Sequence, residues 1–329
     1  MTLKRIADLA KTSVATVSKA FSGSKEISDE TKERIFEIAK EYGCFEKYYN
    51  APRKQPLIAI IVPEIDSECY ATCASVFERE FNRRGADTIV ATTRFDENRE
   101  ERLFRELAYG MKVDAVLLWG TGRLIKNHDE IPLVKFGEKS FFDSNADAVK
   151  VDSSNAINTL VKTIKDYGHT EVAFFGESLT HSKEENFKKA MRIAGLSIHK
   201  NFVLVSDKRF AEAGRDCMQR LMASGRLPSV IVAAYDQIAY GAMKYARDMG
   251  LRVPEDISFV GMDDITADSY FDVPLSSIHS AYESVCEKIT DLIFMRMENK
   301  HYRMKEKIVV PVELNIRESL KNLKARSDR

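Results

Sequence analysis

Two short stretches near the start decide how the chain is organised: Thr2-Leu3-Lys4-Arg5-Ile6-Ala7-Asp8-Leu9-Ala10 and, after a tight turn, Ser13-Val14-Ala15-Thr16-Val17-Ser18-Lys19-Ala20-Phe21. In the first, Ile6, Ala7, Leu9 and Ala10 fall on one side of a helix that Thr2 is placed to cap. In the second, Ser13 caps a helix whose apolar stripe is Val17, Ala20 and Phe21. A third helix begins after Ser28 with the acids Asp29, Glu30 and Glu33, which suit a helix N-terminus, and stops at Gly43. Three short helices with a tight first turn predict a helix-turn-helix unit over 1–46.

Charge supports that reading. Residues 1–25 carry five Lys or Arg against Asp8 alone, residues 26–46 carry seven acids against three bases, and 47–56 add Lys47, Arg53 and Lys54 with no acid. A cationic edge, an acidic helix and a cationic linker over 47–56 fit a small domain with one face toward nucleic acid. The whole chain has fifty Lys+Arg and fifty Asp+Glu, so a uniformly basic, histone-like surface is excluded.

From Leu57 the texture changes to alternating strand and helix. Apolar runs recur at 57–62, 88–91, 114–119, 133–136, 171–175, 202–205, 230–234 and 257–260, with amphipathic helices between many of them. Such a βαβα pattern predicts parallel sheets covered on both faces. About 260 residues of it is long for a single sheet, so the expectation is two doubly wound lobes over 57–319, followed by a polar tail over 320–329. Ligands in such folds lie beyond the carboxyl ends of the strands, here in a cleft between lobes.

Several chemistries are absent from the pattern. No G-x-G-x-x-G follows a strand and no G-x-x-x-x-G-K-[ST] occurs. The six histidines and five cysteines show no zinc spacing, so no metal, cofactor or disulfide framework is expected. Cys69 and Cys73 read as packing. The longest apolar run, Leu57–Val62, is far short of the ~20 residues of a membrane span. The N-terminus lacks the apolar core of a signal peptide. The expectation is a soluble, cytoplasmic protein without catalytic activity; a sugar-metabolising enzyme or a secreted solute-binding protein is the remote alternative.

The quoted helices, continued by Ile27-Ser28 and Thr31, resemble the DNA-binding headpiece of the lactose/galactose-repressor family. Tyr167-Gly168-His169, Val253 through Asp264, Pro274-Leu275-Ser276-Ser277-Ile278, and Glu313-Leu314 with Arg317 and Ser319 extend the resemblance over residues 2–319. It implies an all-α helix-turn-helix headpiece plus a two-lobed body like the periplasmic binding proteins. It further implies a repressor that binds a palindromic double-stranded operator as a homodimer, and a small, sugar-like effector.

Carried residue by residue, the resemblance makes Val14 and Ala15 the base-reading pair. Both are small and apolar, suited to a thymine methyl and unable to donate a hydrogen bond. Lys19, one turn on, is the polar base or phosphate contact. Thr2, Ser13, Thr16 and Ser18 are phosphate candidates, although capping alone also accounts for Thr2 and Ser28. Lys11 stands where the family has a turn glycine. No leucine lies between Phe45 and Pro56, so the minor-groove wedge of the family's hinge helix is missing and a less sharply kinked operator is expected. Arg53 and Lys54 either track phosphates or reach the minor groove, or else the segment is a flexible linker.

In the body, the resemblance points to Asp66, Tyr70, Trp119, Asp152, Lys183, Tyr235 and Asp263 as effector residues. Lys183 holds the position of a family arginine and so lacks its bidentate fork. Tyr235 replaces an asparagine. Trp119, the sole tryptophan, either stacks on a ligand ring or packs in the core. Asp236, Asp256 and Asp264 read as structural. Two versions stay open: an unusual ligand, cationic or lacking vicinal hydroxyls, or a cleft that has drifted, with control through a protein partner or none.

Overall fold

The computed structural model describes residues 1–49, 53, 55–126, 130–142, 145–265, 272–299 and 304–325. They form two compact units, Met1–Leu57 and Ile58–Arg329.

The first unit holds α1 (Leu3–Leu9), α2 (Val14–Phe21), α3 (Asp29–Glu41) and a single turn, α4 (Phe45–Tyr48). Thr2, Ser13 and Ser28 each accept the backbone N–H three residues on, giving every long helix its N-cap. Ile6, Ala7, Val17, Ala20, Phe21, Ile35 and Ala39 form the core. Phe36, Phe45, Tyr48 and Tyr49 extend it as an aromatic cluster around Phe21, and the Tyr48 hydroxyl donates to the Met1 carbonyl at 2.7 Å. Residues 47–49, expected in the linker, therefore belong to this unit's packing. The Tyr48 ring meets Phe21 of α2 and the Tyr49 ring meets Phe36 of α3, contacts that charge patterning could not reveal.

The second unit contains two six-stranded sheets. One comprises β1 (Leu57–Val62), β2 (Asp87–Thr92), β3 (Ala115–Trp119), β4 (Leu133–Phe136), β5 (Asp147–Val151) and β11 (Lys307–Val310), in the order β2-β1-β3-β4-β5-β11. The other comprises β6 (Val172–Glu177), β7 (Val203–Ser206), β8 (Val230–Ala233), β9 (Ser258–Asp263), β10 (Ser276–His279) and β12 (Glu313–Asn315), in the order β7-β6-β8-β9-β10-β12. Only β12 is antiparallel among the registered pairs. Each sheet repeats one doubly wound order, with a switch point between its first and third strands. The two doubly wound lobes expected from the βαβα pattern are thus the observed architecture.

Helices α5 (Glu68–Arg83), α6 (Glu97–Arg105), α7 (Glu138–Phe141) and α12 (Tyr282–Glu298) belong to the first lobe, and α5 and α12 pack on its sheet, whose core runs through Ile58, Ile60, Phe77, Phe81, Leu117 and Ile289. Helices α8 (Ser153–Asp166), α9 (His181–Ile193), α10 (Phe210–Ala223) and α11 (Asp236–Asp248) cover the second. The chain passes between lobes three times: β5 to α8 at Asp152, β10 to α12 at Ser280-Ala281, and β11 to β12 at Pro311-Val312.

The segment expected as a polar tail is partly structural. Leu320 is buried in the second lobe, the Leu323 amide donates to the Tyr167 carbonyl, and the Lys321 carbonyl lies 2.8 Å from His169 Nε2. Isolated apolar residues among charges gave no periodicity from which to read this docking. No described helix is long and apolar enough to cross a membrane.

Candidate nucleic-acid interface and interlobe cleft

On the first unit, α2 presents Val14, Ala15, Ser18 and Lys19 to solvent, with Val14 44% exposed despite being apolar. Val14 is not among the residues that form or pack against the unit's core, and an exposed apolar side chain at the start of a capped helix has the chemistry to meet a thymine methyl. Ser13 Oγ accepts the Thr16 amide at 3.0 Å and lies 2.8 Å from Thr16 Oγ1. Thr2 Oγ1 accepts the Arg5 amide at 3.3 Å. Both hydroxyls are exposed caps, and capping leaves each oxygen a further lone pair and its O–H.

Lys19 is not a bare cation: its ammonium pairs with Glu26, which holds the Glu26 carboxyl below its ordinary range. Lys11 sits in the left-handed region, φ +51°, the conformation that a glycine would adopt without strain. Arg53 is exposed; Lys54 lies outside the described residues.

In the second unit a cavity of about 320 Å³ opens between the lobes at the carboxyl ends of both sheets. The two switch points supply its centre. Glu64 and Trp119 follow or end β1 and β3, and Glu177 and Tyr235 end or follow β6 and β8. Tyr70, at the start of α5, meets Trp119 edge-on at 4.5 Å, and Trp119 meets Phe136 at the same distance. Trp119 thus both packs and faces the cavity. Lys183 Nζ donates to the Ala234 carbonyl at 2.7 Å and to Asp263 Oδ1 at 3.2 Å. Burial pushes the Asp263 carboxyl up, against the pull of Lys183. The Tyr235 hydroxyl accepts the Phe210 amide at 3.0 Å, and burial drives its ionisation above the usual phenol range.

Tyr70, Trp119, Lys183, Tyr235 and Asp263 therefore line one cavity, while Asp66 and Asp152 do not. Asp66 is half exposed and paired with Arg94 at 2.7 Å. Asp152 caps α8 through the Asn155 amide. A short acid just after an apolar run looks the same in sequence whether it caps a helix or faces a ligand.

Asp236, Asp256 and Asp264 have structural partners. Asp236 accepts from the Ser277 hydroxyl at 2.6 Å and the Ile265 amide at 3.1 Å. Asp256 is bidentate to Arg252. Asp264 gathers His279, Asn315 and Arg317.

Sequence pattern missed the strongest polar feature of the cleft. Arg209, between β7 and α10, donates through Nη1 and Nη2 to Glu64 at 2.6 and 2.7 Å, and through Nε to Glu177 at 3.2 Å. Its guanidinium lies over the Phe210 and Phe95 rings. The one available signal was position, since Glu64, Glu177 and Arg209 all follow or end strands at their carboxyl ends.

A larger hollow of about 600 Å³ lies at the amino ends of β3–β5, lined by Asp147, Arg296 and Lys305 among others. Its central groups are already spent on a buried bidentate Arg296–Asp147 pair, whereas the cleft combines aromatic walls with convergent polar groups, the usual make-up of a ligand site. No group of three or more His, Cys, Asp or Glu side chains placed to hold a metal occurs among the described residues.

Comparison with known proteins bears on both sites. Residues 2–44 match the family model described as bacterial regulatory proteins, lacI family, and residues 161–320 match a periplasmic binding protein-like domain. The ribose operon repressor of Haemophilus influenzae is 26% identical over 98% of this chain and 99% of its own. The HTH-type transcriptional repressor PurR of Pasteurella multocida is 27% identical, again covering 98% and 99%. CytR of Escherichia coli is 26% identical over 91% of each. Among solved structures, a lac repressor dimer bound to operator and an anti-inducer superposes with a TM-score of 0.72 at 18% identity, covering 98% of this chain and 99% of that one. A transcriptional regulator CelR–cellobiose complex gives 0.68 at 24%, covering 97% and 100%. These structures share the fold, and the curated relatives are transcriptional repressors.

Proposed function

We propose, for a chain that belongs to the lacI family of bacterial regulatory proteins, that it is a cytoplasmic repressor whose operator binding is set by a small ligand, a sugar or related metabolite, held in the interlobe cleft. The observation that carries this reading is the placement of the cavity. Its walls come from both lobes, and the lobes are joined by three short crossings. A ligand touching both walls has different affinities for open and closed arrangements, which is what a population shift requires.

Val14 and Ala15 read bases, Lys19 adds a cation, and Thr2, Ser13, Thr16, Ser18, Arg53 and Lys54 hold phosphates. One short recognition helix makes too few base contacts for tight specific binding. Two related by a two-fold axis read a palindrome, so the active form is a homodimer. The lac repressor in the similar structure is a dimer on its operator, and CelR is complexed with cellobiose. Both precedents support this reading by likeness.

Selection of bound sequences from a random DNA pool by the purified full-length protein tests the proposal. An enriched palindrome is the expected outcome, and it then serves as the assay for ligands that alter binding. A folded, dimeric protein that enriches nothing would reject the regulator reading of the headpiece.

A further inference from the structure

The effector reading leaves the ligand's chemistry open, and the charges of the cleft narrow it. Glu64 belongs to the first lobe and Glu177 to the second, and their side chains are 3% and 1% exposed. One guanidinium, Arg209, serves both. Lys183, the other cation of the wall, is committed to Asp263 and the Ala234 carbonyl. Glu138, on the wall of the same cavity, is met by Lys150 at 3.0 Å. Among the described residues, the lining therefore carries four carboxylates and two cations. The excess negative charge is concentrated where water is scarcest, at the shared guanidinium.

The aromatic surfaces point the same way. Arg209 lies 4.4 Å from the Phe210 ring centroid and 5.9 Å from that of Phe95, and Lys183 lies 6.0 Å from that of Tyr235. These ring faces already accept cations, which their quadrupoles attract most strongly out of water. Tyr70 and Trp119 continue the aromatic wall.

We propose that the cleft takes a small organic cation, an amine-bearing sugar or ring compound whose ammonium completes the Glu64–Arg209–Glu177 set. This rests on the effector reading of the same cleft. A cation cancels the buried excess, a neutral ligand leaves it uncompensated, and an anion adds to it in a medium where unpaired charge is costly.

Two series matched in shape and differing in charge test the proposal: glucosamine, glucose and glucuronate, and benzylamine, benzyl alcohol and benzoate. Each is titrated into the full-length protein by calorimetry, with emission of the sole tryptophan, Trp119, as a second readout. The cation of at least one series binds about tenfold more tightly than its neutral and acidic counterparts. That preference collapses in Glu177→Gln, and Glu64→Gln serves in its place if that variant does not fold. Equal or tighter binding of a neutral or acidic member overturns the proposal, as does silence of all six compounds. Operator binding in the presence of the same compounds separates this claim from the effector reading. A cation that binds without changing operator affinity sinks the effector reading alone; a neutral sugar that binds and changes it sinks the charge preference alone.

Discussion

Lys11 carries a cost that follows from chirality. At φ +51° its Cβ crowds the following carbonyl, a penalty of roughly 1–2 kcal/mol for a residue that is not glycine. Part of that is offset because glycine gives the unfolded chain more freedom. Lys11→Gly is therefore expected to stabilise the first unit by about 0.5–1 kcal/mol, read as slower amide hydrogen exchange in α1 and α2 of the full chain. Unchanged or faster exchange would show that the turn holds Lys11 without strain. Lys19 poses a different question, because its ammonium is shared with Glu26 on an exposed surface. Such pairs contribute little and break readily, so on the proposed reading Lys19 would exchange a carboxylate for a phosphate or base. Lys19→Ala should weaken operator binding and reduce the slope of log K against log salt by about one. Glu26→Gln, which frees the lysine, should strengthen binding by about threefold at low salt. Anisotropy titrations at several salt concentrations check both, and wild-type slopes in Lys19→Ala would remove Lys19 from the phosphate contacts.

At the scale of elements, the tightest constraint is between α10 and α11. A Cβ at Gly241 would stand 1.8 Å from the Ala211 carbonyl oxygen, and one at Gly214 would stand 1.9 Å from that of Ile238. Both obstacles are backbone and cannot rotate away, so a methyl group at either site forces the helices apart. Helix propensity alone favours alanine by about 1 kcal/mol. Overpacking opposes it by about 1–3 kcal/mol, and with backbone as the obstacle it prevails. Gly241→Ala should lose about 1–2 kcal/mol in urea unfolding of the full chain. A gain in stability would mean that the helices separate without cost. The docked C-terminal segment makes a pH-dependent case. His169 bridges Ser229 and the Lys321 carbonyl, and burial lowers its pKa below the ordinary histidine range. A depressed histidine binds fewer protons folded than unfolded, so its contribution is present above the unfolded value and is lost as pH falls through it toward the folded one. The protection of residues 319–325, as exchange rates referred to the intrinsic amide rate at each pH, should therefore fall below about pH 6.5, and His169→Gln should flatten that dependence. The same elements show what sequence could carry. Caps at Thr2, Ser13 and Ser28 and the long apolar strands are local signals, and they were legible. β5, β10, β11 and β12 are short, with Lys150 and Ser276-Ser277 inside two of them and Lys307 and Asn315 at the ends of the others, so none stands out as a long apolar run, although they carry the crossings between lobes. In the cleft, Tyr70, Trp119, Lys183, Tyr235 and Asp263 are residues to which the family resemblance points, and they line one cavity. Arg209 was missed because its partners lie 145 and 32 positions away, and no periodicity encodes such a pairing.

For the whole second unit, the balance between open and closed lobes is set by few groups. Three crossings join the lobes. One of them holds Ala281 in the left-handed region at φ +49°, a conformation that costs about 1 kcal/mol or more and persists only where surrounding structure enforces it. Across the cleft, Arg209 and Glu64 add a bidentate ion pair between the lobes. Glu64 is buried, but the arginine side chain is 33% exposed, so solvent screening reduces the pair's worth well below that of a dry one. About 1 kcal/mol is a reasonable scale for its contribution to closure, which corresponds to about a fivefold change in the open-to-closed ratio. Glu64→Gln keeps the shape and removes the charge. It should raise the radius of gyration in solution scattering and increase acrylamide quenching of Trp119, whose ring faces the cavity. Asp66→Asn is the matched control, because Asp66 pairs with Arg94 within the first lobe and its loss should move neither readout. If Glu64→Gln leaves scattering and quenching as they were, closure is set by the crossings alone. The ion pair would then be a consequence of the closed state. If both readouts rise, the protein's own side chains hold the cleft partly closed, and a ligand of the proposed class would meet a cleft already biased before it arrives.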